Sequence, residues 1–142
     1  SAMCVAANLS GKAISISKTT APHAVSYPFT SFYNISHGHA VSITLNKFLK
    51  FNYKNIQRAN CDFDLNKRYE LLFQLTGSKN INDLDSYIQN LKKQAKLNDN
   101  FIKLGIDIKS GYSKIIEGVN IKRLSNNPIN IKKKDIKDIL FE

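Results

Sequence analysis

This chain lacks acid where one would matter most. Residues 1–60 carry six Lys or Arg and not a single Asp or Glu, and all eleven acidic residues follow residue 60. Whatever the first 60 residues bind, they bring no carboxylate to it. Cysteine is scarce too. Cys4 and Cys61 stand far apart with no CxxC, which excludes a disulfide framework and fits a reduced, cytoplasmic setting. Tryptophan is absent, and only six glycines and three prolines occur in 142 residues. No GxGxxG or other phosphate-cradling glycine turn is present, so the chain offers no dinucleotide-binding fingerprint of its own. No apolar run reaches the roughly 18 residues of a membrane span, and no secretory signal is expected.

What is there is an ordinary globular balance. Apolar residues make up 42% and charged residues 23%, enough for one domain with a real core. Ser1-Ala2 before Met3 reads as a tag remnant, leaving residues 3–142 as a single domain. The net charge of +10 leaves two readings open: a basic solvated surface, or a basic helical module for nucleic acid or another polyanion, with Lys132-Lys133-Lys134 as its densest run.

Periodicity predicts an all-α fold, a bundle of about six or seven helices. The segment MCVAANLSGKAISI reads as a helix ending near Leu9 or Gly11, or as a longer buried one. Thr19 or Thr20 can cap the next helix, with Pro22 in its first turn. Pro28 falls inside that helix and should kink or break it. Val41, Thr44, Leu45, Phe48 and Leu49 repeat at helical spacing, so residues 21–53 predict a helical hairpin. A short helix closes at Gly77. The next takes Asn80 or Asn82 as N-cap. One carrying Tyr112, Ile115, Ile116 and Val119 stops at Asn126-Asn127-Pro128. The last uses Ile136, Ile139 and Leu140.

All three histidines lie within 17 residues, at 23, 37 and 39. Imidazole nitrogens suit Zn²⁺ or Fe²⁺. Equally, a His in a first helical turn or beside Gly38 is often a plain helix-terminus or turn residue. His23 and His37 can meet only if the chain folds back between them, which a kink at Pro28 would allow. His39, two residues past His37, points elsewhere on the same helix.

The stretch SKTTAPHAVSYPFTSFYNISHGHAVSITLNKFLKFN resembles the C-terminal helical domain of the iron-containing alcohol dehydrogenases. It shows His23, then His37-Gly38 fourteen residues on, small and apolar residues after it, and Phe51-Asn52 closing the helix. NIKRLSNNPINIKKKDIKDIL resembles the family's Asn-Pro turn and final helix, and KTTAPHA is similar to a branch acting on phosphonates. The resemblance implies a divalent metal, Fe²⁺ or Zn²⁺, held by one Asp and three His, of which His23 and His37 match the last two. It implies that the Asp and the first His, and an N-terminal domain that binds NAD(P), lie upstream of this segment. Where many members carry a second His near the nicotinamide, this chain has Tyr27, a candidate for acid–base work or simply a buried aromatic. Phe32 and His39 become candidate pocket residues. The implied substrate is a small alcohol or aldehyde, phosphonates included, and the implied assembly a homodimer. The isolated domain is expected to be folded but inactive.

Overall fold

A computed structural model describes residues 1–141. It contains eight α-helices: α1 Ala2–Ser17, α2 Ala21–Tyr33, α3 His37–Lys54, α4 Leu65–Thr76, α5 Ile81–Gln94, α6 Ile108–Glu117, α7 Ile121–Leu124 and α8 Lys133–Phe141. Two single 3-10 turns, Ile56–Arg58 and Ile102–Leu104, complete the ordered elements. The only β pairing among the described residues is one isolated bridge, Ala59 to Ile129. The all-α expectation holds. The count exceeds the expected six or seven because the predicted helix through Val119 is two helices, split at Gly118–Asn120. There the Asn120 side chain accepts from the Arg123 N–H and starts α7 afresh.

The α2–α3 hairpin is the centre of the molecule. α2 packs against α3, α6 and α7, and α3 packs also against α5 and α8. Ala24, Val25 and Phe29 of α2 meet Ala40, Ile43 and Phe48 of α3 in one core with Ile115 and Ile136. A second cluster of Leu65, Tyr69 and Ile129 lies under the far end of α3. Sharp capping sets the later helices. Asp64, Asn80 and Asp107 each accept two backbone N–H groups at their helix starts, and Gly77 closes α4 in the left-handed region at φ 68°.

Of the expected kink or break at Pro28, the break does not occur: α2 runs on through it. A proline leaves the carbonyl four residues back without its helical donor. Here that carbonyl belongs to Ala24, and the Asn120 N–H takes the vacant place at 3.2 Å. The break before α7 and the proline inside α2 are thus two halves of one contact.

A kink at Pro28 was expected to allow the fold-back that brings α3 to α2. The reversal of the chain lies at Asn34, which ends α2 in the left-handed region at φ 54°, ψ 33°. The Asn34 and Ile35 N–H groups both donate to the Phe29 carbonyl. Ile35 then buries, and the chain returns along α2 before α3 begins.

At the other extreme, α1 runs straight through Gly11, past the expected end at Leu9 or Gly11, and buries none of its residues. A helix of this apolar character was expected to be buried if it ran long. Its exposure here follows from having no apolar surface of residues 21–141 laid against it.

Candidate metal centre

Three side chains meet on the outer face of the hairpin. His23 projects from the first turn of α2, Tyr27 lies one turn along the same helix, and His37 opens α3. The His23 and His37 ring centroids are 5.5 Å apart and tilted by 57°. Tyr27 stands 5.9 Å from His37. In a tetrahedral site with metal–nitrogen bonds of about 2.1 Å, two imidazole centroids lie roughly 5 Å apart. The observed spacing therefore suits two rings on one cation without rearrangement of either helix.

Ser26, which sequence reasoning missed, orders this pair. It is fully buried, and its hydroxyl donates to the His23 carbonyl at 2.7 Å. The same oxygen lies 3.5 Å from His37 Nδ1, where it can accept weakly from a ring N–H. A proton on Nδ1 leaves the Nε2 lone pair free for a metal. The signal was present in the sequence as a small polar residue one turn after His23, but nothing distinguished it from other serines.

Charge around the pair is positive. Burial first, then the neighbouring His37, then the Arg123 guanidinium hold the His23 pKa below its usual value of 6.5. All three effects favour the neutral imidazole that ligation requires. Arg123 was also missed, since it lies about a hundred residues away in an anonymous basic segment. Its guanidinium sits 5.5 Å over the Tyr27 ring and donates to the Thr19 hydroxyl.

The remaining candidates are placed elsewhere. His39 is about 200° further around α3 than His37, and its Nε2 bonds the Asn98 carbonyl in the loop after α5. Phe32 is 43% exposed and lies under the Lys114 ammonium at 4.3 Å, on the α6 side of α2. Among the described residues no carboxylate joins the histidines. Among the described residues no group of three or more His, Cys, Asp or Glu is arranged to hold a metal. The pair fits half of a four-ligand site, and residues 1–141 do not bring the other half to it.

Comparison with known proteins agrees with this arrangement. Over 48 residues the chain is 44% identical to the phosphonoacetaldehyde reductase of Streptomyces viridochromogenes, a match covering 34% of this chain and 12% of that protein. No solved structure matches. No helix of the described residues is long and apolar enough to cross a membrane. The family model described as "Fe-containing alcohol dehydrogenase family, C-terminal" matches residues 1–142, the full sequence. With its all-helical architecture and paired histidines, the chain belongs to the iron-containing alcohol dehydrogenase family and corresponds to its C-terminal region.

Proposed function

We propose that this chain is the metal-binding, substrate-facing part of an NAD(P)-linked alcohol dehydrogenase that interconverts a small alcohol and its aldehyde. The observation that carries the reading is the His23–His37 pair, two rings from two helices at a spacing one divalent ion accepts. A bound Fe²⁺ or Zn²⁺ would supply Lewis-acid polarisation of the substrate oxygen, and the nicotinamide would carry the hydride.

The chain's own residues do the positioning. His23 and His37 present ring nitrogens from the starts of α2 and α3, and the Ser26 hydroxyl lies beside His37 Nδ1. Tyr27 has a hydroxyl with no protein partner among the described residues, so it is free to exchange a proton with an alcohol held beside the histidines. Phe32 and His39 enter this reading as peripheral pocket residues. Their own contacts are with Lys114 and Asn98, and the support for them is the family resemblance. The nucleotide and the remaining ligands, an Asp and a His, would come from another domain of the same protein. The match to the family's C-terminal model supports that division, and a homodimeric, cytoplasmic enzyme is the setting we infer.

The test is made in the enzyme that contains this chain. His23→Ala and His37→Ala should each remove bound metal and lower aldehyde reduction by several orders of magnitude. Tyr27→Phe should lower kcat and alter its pH profile while leaving metal content unchanged. Full metal content and activity in both histidine variants would overturn the reading.

A further inference from the structure

Tyr27 is the least anchored member of the histidine cluster. It is half-buried, and its hydroxyl has no hydrogen-bond partner among the described residues. Its ring meets two groups of the site: His37, 5.9 Å away between centroids, and the Arg123 guanidinium, whose carbon lies 5.5 Å over the ring centroid. A phenol that is to exchange a proton with an alcohol must keep its oxygen in one place. No hydrogen bond does that here, so the ring itself must be held.

Arg123 is fixed from several directions. Its Nη1 donates to the hydroxyl of buried Thr19, and its backbone N–H donates to the Asn120 side chain at 3.0 Å. The Asn120 N–H in turn fills the Ala24 carbonyl that Pro28 leaves open, at 3.2 Å. On the far side of α7, Asn126 donates to the Thr19 carbonyl at 3.1 Å. The proline inside α2 thus opens the carbonyl on which α7 hangs, and α7 brings Arg123 over Tyr27. The two asparagines already tie α7 to the backbone around α2. What the guanidinium adds is a planar cation against the Tyr27 ring, attracted by the ring quadrupole, and a link from that ring to Thr19.

We propose that Arg123 is a positioning residue of the site: through its contact with the ring it holds the Tyr27 phenol toward the place an alcohol oxygen takes beside His23 and His37. Arg123 acts through Tyr27 and touches no substrate. The proton role of Tyr27 rests on the dehydrogenase reading above; the hold of Arg123 on the ring does not. One consequence separates positioning from plain structural support. The guanidinium charge opposes a cation at the histidine pair, so its removal acts in opposite directions on metal binding and on turnover.

Kinetics and Zn²⁺ affinity are measured in the enzyme that contains this chain, and ring resonances in the metal-free 142-residue chain. Arg123→Met should lower kcat about three- to thirtyfold, the range that loss of one cation–π contact covers, while Zn²⁺ binds severalfold more tightly. Arg123→Lys keeps the charge and a donor for Thr19, so metal affinity should stay near the parent value and kcat should fall only partway. In a Tyr27→Phe background there is no hydroxyl left to place, and Arg123→Met should then change kcat by less than about twofold. In the metal-free chain Arg123→Met should move the Tyr27 and His37 ring signals and leave the amides of α4 and α5 unmoved. An equal loss of kcat with and without the Tyr27 hydroxyl would overturn the assignment. So would weaker metal binding accompanied by shifts spread through α4 and α5, which would make Arg123 a structural support only. Failure of the underlying reading shows separately: a silent Tyr27→Phe would overturn the proton role and this assignment with it, whereas a silent Arg123→Met beside an effective Tyr27→Phe would overturn this assignment alone.

Discussion

His23 is where burial, a second imidazole and a guanidinium act on one titratable ring, and the sign of the combined effect can be checked in solution. All three lower its pKa in the folded chain. The unfolded chain, with His near 6.5, then binds more protons than the folded one between the two values. Stability from this group is fully present above about pH 6.5 and is lost as pH falls through the lower folded pKa. Thermal or urea unfolding should show stability falling on acidification below about 6.5. His23→Gln, which cannot titrate, should flatten that slope. Spacing left the meeting of His23 and His37 open, and the family resemblance supplied it. The proton logic around them was not legible, because Ser26 and Arg123 carry no local signature: one is a serine among many, the other a distant residue that α7 brings back over Tyr27.

At the scale of elements, two joints hold the site's frame. In one, Asn52 in the last turns of α3 pairs its amide reciprocally with that of Asn127 at 3.2 and 2.9 Å, and Asn127 also donates to the Ile129 carbonyl at 2.8 Å. Both amides are buried. Asn127→Ala would leave the Asn52 amide unpaired out of water, at a cost of about 2–3 kcal/mol, measurable by urea denaturation. The Phe51-Asn52 helix end and the Asn126-Asn127-Pro128 turn, read separately in the sequence, are halves of one contact. The second joint is α2 on α6. A Cβ at Gly118 would lie 3.0 Å from Pro28 Cβ and 3.2 Å from the Phe32 ring. The proline is rigid and cannot move aside, so Gly118→Ala should destabilise by about 1–2 kcal/mol by overpacking, with a Tm shift of a few degrees as the readout. Pattern reading found the helices with apolar stripes, α3, α4, α5 and α8. It failed where long-range contacts decide: the split at Asn120 and the unbroken passage through Pro28 are settled by one hydrogen bond between residues 96 positions apart.

Taken as a whole molecule, the chain divides into a packed body and an arm. α1 buries no residue, and an isolated helix of its length is marginal in water. Its amides should exchange with solvent orders of magnitude faster than those of α2 and α3, a contrast hydrogen–deuterium exchange reads directly. The net charge of +10 also belongs to this scale. Lys132, Lys133 and Lys134 sit exposed at the start of α8, yet the Lys132 N–H donates to Asp135 and the Lys133 carbonyl accepts from Tyr112, so the run also serves to begin a helix. A labelled oligonucleotide should show at most weak binding, lost by moderate salt without sequence preference.

The central claim is that His23 and His37 share one divalent cation while His39 does not. The chain has only these three histidines, so ring resonances assign the site without ambiguity. Zn²⁺ is titrated into the 142-residue chain near pH 7.5 while those resonances are followed. With two protein ligands, two helix N-termini and a nearby guanidinium opposing a cation, binding should be weak. The His23 and His37 signals should nevertheless move together and saturate at one ion per chain, with His39 unmoved, and His23→Ala should abolish the His37 response. Saturation at His39, or Zn²⁺ binding that survives His23→Ala and His37→Ala unchanged, would contradict the account.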